Sequence, residues 1–469
     1  MKINTEKLNT VSPYLYMQFM EPLGTADSSV DAAWDYLHEC WRPELINLVK
    51  SLGPGMVRWG GCFASYYRWK EAVGPMEQRV PMLNQCWDGL YYNHVGTKEI
   101  VEFCKRVNAE PLLVVNMESD GRMNWAYPRR GECRFADAKE ATEWVRYCND
   151  PDDALRISHG SKEPFGVKYW QIGNETSYDP RGYHLEDAYR ATVDFASEMR
   201  KADPGIKLIA WGDDGWAPKM AETDADMIAF HHHFGSGLDD SPLYGTEYRK
   251  DPAKTWTHMM NAHVSLAEHI AKVRAELKGS NKRIAVTEGH FALPGRNRCE
   301  VLSSWMTGCA YARCLNEYMR ASDIIDIATM ADFFGNRWQV NAILIPTPVR
   351  KQPPYLQPVG QVMRLYGHHV GTHQIRIDAP EGVDAVATRD ESRIYVHVMN
   401  TSAENAVKLP IEIDGMPVKA IRAWEIAPED PTVEVTELIP NVFDPVEKSV
   451  DGNVYTLPAA AVAALEIEV

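Results

Sequence analysis

Two short runs set a carboxylate where a β-strand gives out. In "VKYWQIGNETSYDP", residues 167–180, Val167, Tyr169 and Ile172 are strand formers, and Gly173 breaks the run before Asn174 and Glu175. In "KRIAVTEGH", residues 282–290, Glu288 closes a second apolar run. A carboxylate at the end of a buried strand is costly unless it is paired, protonated or at work. Taken alone, Asn174-Glu175 reads equally well as a helix N-cap with an acidic first turn. Taken together, two facing carboxyl groups are what glycoside hydrolysis requires. One protonates the departing oxygen, and the other attacks the anomeric carbon or activates water. Further polar residues share the ends of apolar runs: Glu21, Arg58 ahead of Gly60, Gly61 and Cys62, then Asn116 and His232. An Arg beside a nucleophilic carboxylate holds it ionised, whereas burial and a negative neighbour keep an acid protonated. "HHHF", residues 231–234, invites a metal reading, but alternation sends His231 and His233 one way and His232 the other. A third converging ligand is not evident, so no metal is expected, and no cofactor. Cys62 lacks the surroundings that mark a nucleophilic cysteine.

Such residues need a scaffold that brings strand ends together. Short apolar runs occur at 15–21, 55–61, 111–117, 167–175, 206–212, 227–234, 282–290 and 323–334. Amphipathic stretches lie between them, among them "RPELINLVKSL", "TKEIVEFCKRV", "LEDAYRATVDFASEMRKA" and "NAHVSLAEHIAKVRAELKG". Alternating strands and helices over roughly 330 residues favour a (β/α)8 TIM barrel, whose chemistry sits at the C-terminal strand ends. An open doubly wound sheet is the rival, but "FMEPLGTADSS" is not the glycine-rich phosphate loop it would need after its first strand. "SDIIDIATM" reads either as a strand or as the end of a helix running into one. After the proline-rich "PTPVRKQPPYLQP" the pattern changes to alternating strands and tight turns. The expected division is therefore a catalytic barrel over 13–355 and a β-sandwich over 359–469, joined by an N-terminal strand from 1–12.

The remaining composition narrows the partners. A net charge of −16 argues against nucleic acid and against an anionic membrane surface. The 9 cysteines are an odd number without a C-x-x-C pair, which points to reduced thiols rather than disulfides or zinc. No apolar run approaches the ~20 residues of a membrane span, and the N-terminus lacks the apolar region of a signal peptide. A cytoplasmic protein is expected. The 14 Trp and 21 Tyr are mostly core, yet Trp87, Tyr91, Tyr92, Trp216 and Trp338 are candidates to stack on sugar rings.

At these residues the chain resembles the α-L-arabinofuranosidases of glycoside hydrolase family 51. "VSPYLYMQFMEPLG" is similar to the family's first strand, whose Glu holds a sugar hydroxyl. "VRWGGCFASYYRWKEAVGP" resembles its R-W-P-G-G-C-F segment and the Y, W and G-P positions beyond. "VKYWQIGNE" and "VTEGH" fall on the acid/base and nucleophile strands. The resemblance implies a retaining, metal-independent, exo-acting hydrolase that forms homo-oligomers and releases terminal α-L-arabinofuranosyl units from oligosaccharides. By it, Glu288 is the nucleophile and Glu175 the acid/base. Arg58 and Asn174 orient them, while Glu21, the backbone at Cys62, Asn116 and His232 line the pocket. The departures bear on the sugar. The Pro after Trp59 is missing, Asp-Glu-Trp becomes Thr287-Glu288-Gly289, and an aromatic after G-N-E-x is absent. His-aromatic-Tyr on the sixth strand is read as His232-His233-Phe234, which removes a hydroxyl from beside the nucleophile; Tyr178 or Tyr244 is the candidate replacement. Galactofuranose or D-arabinofuranose as the sugar, an endo-acting β-glucanase, and a non-catalytic sugar-binding barrel are the alternatives.

Overall fold

Eight of the apolar runs close into one parallel barrel. The computed structural model describes all residues except 26, 28, 118–133, 179–183, 236–242, 244, 293–299, 338 and 348–350. Its barrel strands are β1 (Tyr14–Met20), β2 (Met56–Trp59), β3 (Glu110–Val115) and β4 (Tyr169–Ile172), followed by β5 (Lys207–Trp211), β6 (Met227–Gly235), β7 (Arg283–Ala292) and β8 (Ile325–Gly335). Closure comes from β8, which pairs Ile325 with Ile284 of β7 and Ile327 with Tyr14 of β1. "SDIIDIATM" is thus a strand, reached directly from the helix Trp305–Arg320.

Alternation along the strands separates packing from chemistry. Met17, Met56, Leu112, Tyr169, Ile209, Ala229, Ala285 and Ile327 fill the barrel interior as an apolar plug. Two residues further along the same strands the inward positions turn polar: Arg58 after Met56, Gln171 after Tyr169, His231 after Ala229, Thr287 after Ala285. Neighbouring positions such as Val57, Trp170, Ile228 and Val286 face the helices instead. Those helices form at the amphipathic stretches, as Pro43–Leu52, Thr97–Val107, Leu185–Ala202 and Ala262–Glu276. Local chemistry sets their ends. The Glu99 carboxylate accepts the Gly96 N–H at 2.9 Å to open the second, and Gly53, at φ 69°, closes the first.

One irregularity matters for the site. β6 and β7 pair Phe230 with Val286 and then His231 with Glu288, leaving Thr287 as an extra residue. Ile284 and Val286 face outward, so unbroken alternation would send Glu288 outward too. The bulge re-phases the strand, and Glu288 turns inward to Arg58 while Phe291 packs outside.

The prolines from 346 onward do not lead straight into the sandwich. Pro358 opens a further helix, Pro358–His368, which packs on Pro43–Leu52 and Trp305–Arg320. A proline suits that first turn because its missing N–H has no partner there in any case. Strands resume at His373. A seven-stranded antiparallel sheet runs Asn9–Thr10, His373–Ile375, Val383–Arg389, Arg393–Asn400, Val462–Glu468, Ala420–Ile426, Val446–Ser449. Shorter pairings involving Lys2–Ile3, Glu412–Ile413, Val407–Pro410 and Val454–Leu457 supply Ile3, Leu409, Tyr455 and Leu457 to the apolar cluster that also holds Ile394, Val396 and Ile467 of the large sheet. The other face of the large sheet is continuous with the barrel's outer core through Val386, Met399 and Val462.

Candidate active site

Arg58 organises the mouth of the barrel. Wholly buried, it donates from Nη1 to Glu288 Oε1 at 2.8 Å, from Nη2 to Asn174 Oδ1 at 2.6 Å and from Nε to Gln171 Oε1 at 2.9 Å. A guanidinium this deep is tolerated only because every face of it is paired. Asn174 keeps its Nδ2 buried with no hydrogen-bond partner among the described residues. That donor is available to a ligand hydroxyl.

Glu175 is held on a turn, not at a helix start. Past β4, Gly173 at φ 73° and Glu175 at φ 52° bend the chain, and among the described residues the next helix is Leu185–Ala202. The N-cap reading of Asn174-Glu175 is therefore set aside. His231 stands between the two carboxylates. Its Nδ1 lies 2.9 Å from Glu175 Oε1 and 3.5 Å from Glu288 Oε2, and its Nε2 lies 3.0 Å from Thr287 Oγ1. One oxygen from each glutamate and one His231 nitrogen all fall within 4.8 Å of one another. The Cys62 thiol approaches Glu175 Oε2 at 3.8 Å. Contact with Cys86, and then burial, push that thiol well up, so it serves as a weak donor and not as a thiolate.

The electrostatics separate the acids. Burial alone would raise the Glu288 carboxyl, but the charges of His231, His233 and Arg58 outweigh it and hold the group well below the usual carboxylate range. Glu288 is ionised. Burial first, then the Glu288 and Asp332 charges, push Glu21 well up, and its Oε2 has no partner among the described residues. A neutral Glu21 offers an O–H donor to the pocket. Burial likewise raises Asp332. His233, a third exposed, sets Nε2 3.9 Å from Glu288 Oε2 with its ring 4.5 Å from that of His290. Burial disfavours its cation, but Glu288 and Glu175 prevail and raise it. His290 is lowered to about 3 by burial and by His233, and stays neutral.

Glu175, His231 and Glu288 are also spaced as three metal ligands would be. However, His231 Nδ1 is already hydrogen-bonded to Glu175, and Arg58 already supplies positive charge 2.8 Å from Glu288. The donor set fits a pair of carboxylates held by Arg58 and His231 better than a cation site.

One of the expected pocket residues is placed elsewhere, and another is engaged by backbone. His232 faces outward, because the inward phase of β6 belongs to Met227, Ala229 and His231; it meets His269 and Ser265 on the helix behind. Asn116 keeps the inward phase of Leu112 and Val114, and its amide bonds the backbone of Tyr67, Arg134 and Ala136. The sixth-strand reading also shifts by one residue. Phe234 packs outside against Phe291 and Tyr311, and the inward position facing Glu288 carries His233. Of the aromatic candidates, Trp87 and Tyr91 are buried, Trp216 is half-buried and Tyr92 is exposed. Trp338 and Tyr244 lie outside the described residues. His231 and Gln171 are the site residues that sequence reading missed; the signal for both was the strand phase set by the bulky outward Ile228, Phe230 and Trp170.

Comparison with known proteins agrees with this architecture. Residues 48–256 match the family model of the α-L-arabinofuranosidase 1 domain. An intracellular exo-α-(1→5)-L-arabinofuranosidase of Acetivibrio thermocellus is 30% identical over 262 residues, 50% of this chain and 48% of that protein. The enzyme 1 of that name from Bacillus subtilis is 30% identical over 261 residues, 51% of this chain and 49% of its own. The chain thus spans about half the length of the curated relatives it matches. In fold, it superposes on the α-L-arabinofuranosidase of Thermotoga maritima solved with arabinose, with a TM-score of 0.81 at 23% identity, covering 100% of this chain and 99% of that one. The GH51 arabinofuranosidase of Xanthomonas axonopodis gives a TM-score of 0.83 at 20% identity over 100% and 99%. The chain is thus similar in sequence to α-L-arabinofuranosidases over about half its length and shares the fold of solved ones.

Proposed function

We propose that the protein is a retaining, exo-acting glycoside hydrolase that releases terminal α-L-arabinofuranosyl residues from oligosaccharides. The observation that carries this reading is the pair Glu175 and Glu288, with one oxygen of each within 4.8 Å across His231. A close pair of about 5–5.5 Å suits direct attack, whereas inversion needs a wider gap to admit water. Arg58 occupies Glu288 Oε1, which leaves Oε2 to attack the anomeric carbon. Glu175 gives its proton to the departing oxygen, and a glycosyl ester forms on Glu288. Glu175 then takes a proton from water, which attacks the same carbon and frees Glu288. Asn174 Nδ2 and neutral Glu21 bind ring hydroxyls. The relatives named intracellular arabinofuranosidases support a cytoplasmic setting and the choice of sugar. His233 beside the nucleophile favours a second reading within the class, a furanoside other than α-L-arabinofuranose. In this reading the protein is a homo-oligomer, as the resemblance to family 51 implies.

The test is hydrolysis of aryl α-L-arabinofuranoside, both D-arabinofuranosides and β-D-galactofuranoside by the wild type and by Glu288→Ala. Turnover of the first, lost by about 10⁴-fold or more in the variant and partly restored by azide with inverted product, is expected. Turnover of a different furanoside alone moves the specificity and keeps the mechanism. Binding without turnover of any sugar would leave a non-catalytic barrel.

A further inference from the structure

A chain of hydrogen bonds behind β6 ends on the turn that carries Glu175. Outward-facing His232 sets Nε2 3.1 Å from Ser265 Oγ and Nδ1 3.1 Å from His269 Nδ1. His269, on the helix Ala262–Glu276, sets Nε2 2.9 Å from Asp213 Oδ1. Asp213 lies just past β5, almost wholly buried, and its Oδ2 accepts the Tyr178 hydroxyl. Tyr178 closes the turn by donating its backbone N–H to Glu175 O at 3.0 Å.

The proton positions follow from what each group can do. Burial opposes ionisation of Asp213, but His269, Tyr178 and the Asp214 N–H lower it to about 2. A carboxylate only accepts, so His269 Nε2 carries a proton. His232 is lowered to about 3, by burial first and then by His269 and His233, and is neutral. The Ser265 hydroxyl donates to Ala262 O, so His232 donates from Nε2 to Ser265 and accepts at Nδ1 from His269. Asp213 accepts from both His269 and Tyr178. The Tyr178 ring meets Trp211 edge-on at 5.1 Å, and Trp211 meets His231 edge-on at 4.6 Å. The strained end of this chain is Glu175 itself, at φ 52°. A non-glycine residue in that region costs about 1–3 kcal/mol and persists only where its surroundings impose it.

We propose that Tyr178, Asp213, His269 and His232 are positioning residues for Glu175: they anchor the turn at Tyr178 and hold the acid/base carboxyl against His231. The inference rests on the reading of Glu175 as acid/base. It places the consequence on proton donation and not on the attack by Glu288. Loss of the anchor therefore penalises substrates whose leaving group needs a proton and spares those whose leaving group does not.

The experiment compares wild type, Tyr178→Phe, His269→Gln and Asp213→Asn on two furanosides of the same sugar, one with an alkyl leaving group and one with a strongly acidic phenol. For the alkyl substrate kcat/KM is expected to fall about 10–100-fold, with the phenyl substrate within about threefold of wild type. Equal losses on both substrates, or no loss on either, would overturn the proposal. A second measurement does not depend on turnover. Hydrogen exchange of the peptide spanning 172–178 is expected to be at least about tenfold faster in Tyr178→Phe and Asp213→Asn, because the turn opens locally. Exchange equal to wild type overturns the anchor. If wild type hydrolyses neither substrate, the acid/base reading fails and the exchange result still decides whether the turn is anchored.

Discussion

At the scale of single residues, the pocket assigns opposite protonation to similar acids. Glu288 is kept ionised by Arg58 and two histidines, while Glu21, a neighbour in the same pocket, is kept neutral by burial and by Glu288 itself. The linkage has a definite sign. A carboxyl whose folded value lies above its unfolded one contributes stability below about pH 4.5, and loses it as pH rises through the folded value. Glu21→Gln removes that liability. The variant is expected to be more stable than wild type at pH 7 by about 1 kcal/mol or more, with the difference vanishing below about pH 4. Urea unfolding at the two pH values measures it; a variant less stable at pH 7 would show that Glu21 is held as a paired carboxylate.

At the scale of elements, the bulge in β7 is the device that aims Glu288. It works only because the strand lies close to its neighbours at Gly289, where a Cβ would come within 2.6 Å of Thr329 O and 2.8 Å of Tyr318 Oη. Gly289→Ala pushes β7 off the helix Trp305–Arg320 and off β8, a change that costs about 1–3 kcal/mol. Because Glu288 is the preceding residue, kcat should fall at least about tenfold while the circular dichroism spectrum is retained. Unchanged kcat would mean that the bulge absorbs the shift.

For the molecule as a whole, the sandwich is part of the barrel's packing. Asp384, on a sandwich strand, accepts from Arg313 at 3.0 Å and Asn316 at 2.8 Å, both on the barrel helix Trp305–Arg320. The indole of Trp305 donates to Ala460 O at 2.7 Å. Burial opposes ionisation of Asp384, but Arg320, Asn316 and Arg313 prevail and lower it, so its contribution is present above about pH 4 and fades as pH falls. Asp384→Ala leaves Asn316 without its acceptor in a buried setting and is expected to cost about 1–3 kcal/mol. Unfolding should remain a single transition, monitored by tryptophan fluorescence and circular dichroism together. Two separated transitions would show that barrel and sandwich fold independently.

By itself, the sequence determined the alternation of strands and helices, the eight barrel strands, and the two glutamates at strand ends. These are local properties: apolar period, breaker residues, and the cost of a carboxylate beside a buried run. Arg58 and Asn174 were legible for the same reason, as polar residues at the ends of apolar runs. Which way a strand end faces is not local. His232 and His231 differ by one position, and the outward packing of Ile228 and Phe230 decided that His231 joins the glutamates while His232 turns to His269. Glu288 needed the extra residue at Thr287, visible only when β6 and β7 pair. Asn116 sits at the expected strand end, yet the backbone of Tyr67 and Arg134 claimed its amide. The tertiary structure decided these because strand phase depends on what packs against each face, and a one-residue slip sends every side chain to the opposite side.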